Sequence, residues 1–208
     1  MVLEHRLGPE AELGTVRVRP LRMRDAAAWV ESRSRNVDWL QQWEASPPEG
    51  PASVPTSMAT FVAMTRRLRS DARAGHGMPF VLEVDGVFAG QLNVSNVTRG
   101  SLHSASLGYW IDERFAGRGA MPTAVALVTD HCFDVVGLHR VEVNIRPENT
   151  ASRRVVEKLG FREEGVRARF LHIAGDWRDH VSYALVREEV VGGVLRRWRQ
   201  QQSERRTN

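Results

Sequence analysis

The stretch IDERFAGRGAMP, residues 111–122, constrains the fold more than any other in the chain. It ends a strand-like run, SLGYWID, and leads straight into TAVALVTDHCF, whose apolar spacing is helical. Two glycines at such a junction bring bare main-chain N–H groups together at a helix N-terminus. The helix dipole there adds attraction for an anion, and Arg118 adds a permanent positive charge. The loop is not a Walker A motif, because no Gly-Lys-Ser/Thr follows. Nor is it a dinucleotide fingerprint: the preceding strand belongs to a meander and no βαβ unit is evident. A pyrophosphate on some other carrier and a plain flexible turn are the two readings that the loop alone leaves.

The surrounding order narrows the choice. Residues 15–21 alternate as a strand, and Asp25 is positioned to cap a helix, AAAWVESRSR. VDWLQQWEA reads as a second helix carrying Trp39 and Trp43 four residues apart, a spacing that suits packing and also a groove wall. Residues 46–55, with four prolines, read as a loop. A helix follows Ser57, then strands at 79–84, 87–97 and 104–112. Asp85-Gly86 supplies the hairpin signal between the first two. A helix over 120–136, a strand over 140–146 and a short helix capped by Asn149 or Thr150 come next, with Gly160 as its C-terminal glycine. Two closing strands, about 164–173 and 177–186, flank a turn at Gly175-Asp176, and a final helix enters a basic tail. This is an α+β layout in one domain.

With 208 residues, 42% of them hydrophobic, the chain can bury a sizeable core. No apolar run approaches a membrane span, and the N-terminus carries Glu4, His5 and Arg6 where a signal peptide would be apolar. The single Cys132 allows no internal disulfide or cysteine metal cluster. A cytoplasmic protein without a metal or a membrane partner is the expectation. The net charge of +4 is also the net charge of residues 196–208 alone, five arginines against Glu204. Residues 1–195 are therefore formally neutral, and the high pI belongs to the tail.

Three separated segments in order, LGYWIDERFAGRGAM, HRVEVNIRPENTASRRVVEKLGFREEG and GDWRDHVSYAL, resemble the GNAT superfamily of acyl-CoA-dependent N-acetyltransferases. Within it the chain is most similar to the RimJ/RimL type, which acetylates N-terminal alanines of ribosomal proteins. The resemblance covers residues 15–188, leaving 189–208 as a C-terminal helix and basic tail. It implies a twisted, mostly antiparallel sheet of about seven strands, splayed where acetyl-CoA enters, with flanking helices. It places pantetheine along the 104–112 strand, including Trp110 and Ile111, and pyrophosphate on the loop Ala116, Gly117, Arg118, Gly119, Ala120 and Met121. This register is preferred over one beginning at Arg114, because it puts Pro122 in the helix first turn, where a missing N–H costs nothing. Ala116 departs from the usual Gln or Arg, and Met121 from the usual small residue.

The same resemblance places Asn149 near the pantetheine and Ser152 near the thioester sulfur. Many such enzymes carry a tyrosine general acid on this helix; here the position is Val156, and Ser152 is the available substitute. Glu164 matches an acidic position of the branch, as a proton acceptor or as half of a salt bridge. Cys132 lies on an apolar helix face, His131 and His139 flank element ends, and Tyr183 reads as core or gap lining. Asp179 and His180 fit the branch pattern, Asp179 as a strand-edge structural residue or a substrate contact.

Chemistry bears on the acceptor. An α-amine, pKa about 7.7–8.0, costs about 1 kcal/mol to deprotonate at pH 7, whereas a lysine, about 10.4, costs about 4.6 kcal/mol. A chain without an unmistakable base therefore suits an N-terminal α-amine, acetylated directly in a ternary complex. A small amine such as an antibiotic is the alternative acceptor, and a CoA-binding protein without activity is the rival class. The tail is either a solvated helix end or a weak ribosome or RNA contact. Chemistry is expected not to need it.

Overall fold

The structure, a computed structural model, describes residues 2–6, 14–49 and 55–207, with the backbone alone at 5, 6 and 205–207. The expected Pro-rich loop lies partly outside the described residues, at 50–54. The elements are β1 (Leu3–Arg6), β2 (Thr15–Pro20), α1 (Ala26–Arg35), α2 (Val37–Leu40), α3 (Met58–Arg73), β3 (Met78–Val84), β4 (Val87–Thr98), β5 (Ser104–Ile111), α4 (Ala120–Asp134), β6 (Arg140–Ile145), α5 (Thr150–Lys158), β7 (Arg162–Ile173), β8 (Asp176–Val186) and α6 (Val194–Thr207). Among the described residues one mixed sheet of eight strands runs β1-β2-β3-β4-β5-β6-β8-β7. Every pair is antiparallel except β5–β6.

Local chemistry sets several boundaries. Asp85 and Gly86 both have positive φ, 50° and 81°, the geometry of the tightest hairpin turn, and they join β3 to β4. Ser57 caps α3, its hydroxyl accepting from Thr60 N at 3.1 Å. Asn149 caps α5 in the same way, through Ser152 N at 3.0 Å. Asp25 does not cap α1: its carboxylate is taken by Arg19, at 2.9 and 2.8 Å, and by Arg22 N at 2.8 Å.

The sheet is covered on two faces. Along β3, Phe80 and Leu82 face one cluster and Val81 the other, as alternation in a strand requires. On Val81's side, α1 and α3 bring Trp29 and Phe61 against Phe88. On the other side lies α4, buried along nearly its whole length, with α5 and α6 beside it. Val141, Val143 and Ile145 of β6 point to this face and are buried. Cys132 is buried there too, and so is His131, although it stands near a helix end.

Three elements differ from expectation. The sheet gains an edge strand, β1, paired to β2 and held by the Glu4–Arg17 ion pair at 2.7 Å; charged edges of this kind discourage further pairing. The second helix ends early, because beyond a 3-10 turn at Gln41–Trp43 the chain extends so that Ala45 bridges Ile173 and Ser46 N meets His172 O at 2.9 Å. The tail is not solvated where it starts. Val194 and Trp198 of α6 are buried in the main core, and Asp130 caps the helix from α4, accepting from Val194 N and Leu195 N at 2.6 and 3.0 Å.

Candidate active site

Parallel strands β5 and β6 pair over only three residues, Ser104–Ser106 with Arg140–Glu142. Beyond them β5 keeps β4 as a neighbour, out to Ile111 against Gly90, while β6 keeps β8. The two middle strands therefore part, leaving main-chain N–H and C=O groups inside the sheet without a strand to bond. A cavity of about 240 Å³ opens in this gap. Leu107, Gly108 and Tyr109 line one wall, Val143–Arg146 the other, with Asn149 and Ser152 of α5 and His180 of β8. An extended ligand with amide groups fits such a gap as an added strand.

The phosphate-type loop lies at the end of β5. Gly117 and Gly119 have φ of 76° and 85°, conformations that favour glycine. A Cβ at Gly117 would meet nothing within 4 Å, so the space before the loop is open. Gly119 precedes α4 directly, and its carbonyl accepts from Thr123 N at 3.2 Å and Thr123 Oγ1 at 2.8 Å. The Ala120 and Met121 side chains point into the core, and Pro122 has no N–H. The amides of Ala120 and Met121 thus lead the helix toward the loop, while Arg118 stands exposed beside them. Ala116 is extended, φ −68° and ψ 156°, and offers a methyl where a longer polar side chain would reach further.

Asp112, fully buried, anchors this loop. Its oxygens accept from Arg114 N, Nε and Nη2 at 3.0–3.1 Å, and from Ser32 Oγ and Arg35 Nη2 at 3.1 Å each. Burial alone would raise its pKa, but the hydrogen bonds from Arg114, Arg35 and Ser32 hold the carboxyl far below the usual range. Helix α1 is thereby tied to the loop. Trp39 Nε1 adds a bond to Ile111 O at 3.1 Å.

Tyr109 and Ser152 meet across the gap. Ser152 Oγ donates to Tyr109 OH at 3.0 Å, and the phenol donates to the Ser152 carbonyl at 3.3 Å. Burial pushes the Tyr109 pKa up, partly offset by the bond from Ser152, so the phenol keeps its proton at neutral pH. His180 is buried, and its Nδ1 lies 3.1 Å from the Arg178 carbonyl. A carbonyl only accepts, so Nδ1 carries the proton and Nε2 is the ring's lone-pair nitrogen. Burial lowers the His180 pKa, leaving a neutral imidazole at pH 7.

The residues singled out from sequence are distributed unevenly. Asn149 and Ser152 line the cavity, and the residues from Ala116 to Met121 form one loop at its β5 end. Trp110 and Ile111 do not line it: Trp110 packs on Phe88 at 5.9 Å under the Arg33 guanidinium, and Ile111 packs into the core. Glu164 is not brought to it either. It is held by Arg140, at 3.0 Å and a second contact, and by Arg162 at 2.7 Å. Those hydrogen bonds, Arg140 first, pull its carboxyl down to about 2, too weak a base for an amine. Asp179 accepts from Arg169 N at 2.7 Å in the β7–β8 ladder. Tyr183 is buried under α5 and bonds Arg153 at 2.8 Å. Tyr109 is the site residue that the sequence did not single out. Its signal is its place two residues beyond Leu107, on the same side of β5.

Comparison with known proteins follows the same lines. The acetyltransferase (GNAT) domain family matches residues 15–162. A [ribosomal protein uS5]-alanine N-acetyltransferase of Escherichia coli (strain K12) is 32% identical over 85% of this chain and 91% of its own. The solved structure of Mycobacterium smegmatis RimJ in complex with CoA-disulfide superposes with a TM-score of 0.88 and 41% identity, covering 95% of this chain and 92% of that one. A ribosomal-protein-S5-alanine acetyltransferase from Vibrio fischeri gives a TM-score of 0.75 and 27% identity, over 84% and 94%.

Proposed function

The chain belongs to the GNAT acetyltransferase family and is an acetyl-CoA-dependent N-acetyltransferase; from that premise we propose that its acceptor is a protein N-terminal α-amine, an alanine of a ribosomal protein. The observation that carries the acceptor class is the cavity wall, which holds a neutral imidazole and no carboxylate among the described residues. An α-amine needs only that much help, whereas a lysine would need about 3–4 kcal/mol more. A small-molecule amine is the competing acceptor. Thiol release measured with alanine-initiated peptides and a panel of free amines decides between them: the peptides should give the higher kcat/KM, and a free amine that outruns every peptide would refute the proposal.

Acetyl-CoA supplies the acetyl group as a thioester, and the open glycine loop and the parted strands fit such a carrier. The β5 edge beyond Ser106 receives the pantetheine amides, with Asn149 beside them. The amides of the Gly117–Met121 loop and the start of α4 hold the pyrophosphate. Gly119→Val places a branched side chain at a φ of 85°, with the Gln202 amide 3.5 Å from its Cβ. The variant is expected to weaken CoA binding by about 2 kcal/mol, the scale of lost charge-assisted hydrogen bonds. Titration calorimetry on the folded variant checks this, and an unchanged affinity would move the pyrophosphate elsewhere.

Two side chains do the proton work in direct transfer. His180 Nε2 takes the proton of the incoming amine. Tyr109, supported by Ser152, donates to the departing sulfur as the C–S bond breaks. The acid limb of the kcat profile should fall below about pH 6.5, where an imidazole charges. Because His180 is held below that value, its neutral form persists through pH 7. His180→Gln should replace this limb by one near the α-amine's own pKa, about 7.7–8.0, and lower kcat at pH 7 by no more than about tenfold, since finding an already neutral α-amine there costs only about 1 kcal/mol. A retained limb in the variant would assign the proton to another group.

We place the enzyme in the cytoplasm, with the exposed Arg196 and Arg199 of α6 meeting a phosphate-rich surface. Replacing both with alanine should lessen the log–log salt slope of co-sedimentation with ribosomal particles by about 1.5. Equal slopes would leave α6 a purely structural role.

A further inference from the structure

Helix α6 begins beyond the matched domain, yet it lies against the back of the pyrophosphate loop. From the position a Gly119 side chain would take, the Gln202 amide nitrogen is 3.5 Å away and the Trp198 ring 3.9 Å. Trp198 Nε1 donates to Thr123 Oγ1 at 3.1 Å, a contact buried on both sides. Thr123 Oγ1 in turn donates to Gly119 O at 2.8 Å.

This pair of bonds has a direction. The indole N–H occupies a lone pair of the Thr123 hydroxyl, which leaves its single proton for the Gly119 carbonyl. The C=O and N–H of one peptide plane point opposite ways. Holding the Gly119 carbonyl into the helix therefore aims the Ala120 N–H out of its N-terminus. The loop glycine sits at a positive φ with many accessible alternatives, so this hold matters more there than in mid-helix. The far end of the relay is itself fixed, because Asp130 caps α6 and Arg197 bonds the Leu159 carbonyl.

We propose that Trp198 is a positioning residue for acetyl-CoA: through Thr123 it sets the Gly119 peptide so that the loop amides face the pyrophosphate. The inference rests on reading the Gly117–Gly119 loop as the pyrophosphate seat, and the experiment separates the two. Full-length protein is assayed with acetyl-CoA and with S-acetyl-pantetheine, which lacks the pyrophosphate, using the same alanine-initiated peptide. Trp198→Phe keeps a six-membered aromatic ring and removes the N–H together with the five-membered ring that carries it. It should raise the KM for acetyl-CoA about fivefold, the worth of one buried hydrogen bond, leave kcat unchanged, and leave kcat/KM for S-acetyl-pantetheine unchanged.

A loss shared equally by both thioesters would make Trp198 a packing residue and overturn the inference, as would no change with either. If wild-type protein used the two thioesters equally well, the pyrophosphate reading of the loop would fall instead. Thr123→Val, which keeps shape and deletes the hydroxyl, should reproduce the acetyl-CoA effect, while Thr123→Ser should restore most of the affinity. Should Trp198→Phe not fold, this second pair of variants decides the question by the same two assays.

Discussion

Ending the chain at Val191 is expected to cost the fold about 3–5 kcal/mol, the range for deleting a large buried side chain. The sequence alone suggested that chemistry would be indifferent to this segment. The burial of Val194 and Trp198 in the same core as Val16, Val125 and Leu185 leads to the opposite expectation. Removing α6 would also leave the Asp130 carboxylate without the two amides it caps. Urea unfolding of the shortened chain should show a midpoint well below that of the full-length protein, and peptide acetylation should fall with it. An unchanged midpoint would mean that α6 packs without contributing stability.

Tyr109→Phe is expected to lower kcat about 100-fold, the lower end of general-acid effects, with little change in the dissociation constant for acetyl-CoA. The hydroxyl acts on charge that develops only as the sulfur departs, so the loss belongs to the transition state. Ser152→Ala should lose less, about tenfold, because Ser152 reaches the reaction through the phenol and a CoA thiol is a fair leaving group. Single-turnover rates at saturating acetyl-CoA are the measurement. An unchanged rate in Tyr109→Phe would return the phenol to a packing role.

What the sequence revealed and what it hid follow from the range of the interactions. The α1 and α3 spans and the β3–β4 turn are set by residues within a few positions of each other and could be read directly, and the α5 cap was narrowed to Asn149 or Thr150. The positive φ of Gly117 and Gly119 was legible because a strand–helix junction of this kind favours glycine, while the loop alone left an anion seat and a plain turn both open. The sequence leaves Glu164 between proton acceptor and half of a salt bridge, because Arg140 lies 24 positions away and meets it only through sheet pairing. Trp198 looked solvated because arginines surround it in sequence, whereas its neighbours in space are Thr123 and Lys158. On α5 the usual tyrosine position is Val156, which is fully buried, and Ser152 stood as the substitute. The hydroxyl beside Ser152 comes instead from the facing strand, 43 positions earlier. Such a pairing exists only once β5 and β6 have parted.

Acetyl transfer to a terminal α-amine in the gap between those strands can be followed with a peptide beginning with alanine and containing an internal lysine, incubated with acetyl-CoA and the full-length protein and read by tandem mass spectrometry. A single acetyl group is expected on the terminal nitrogen, accumulating about 100-fold more slowly with Tyr109→Phe. Acetylation of the lysine side chain, or terminal acetylation that proceeds at full rate without the Tyr109 hydroxyl, would contradict that expectation.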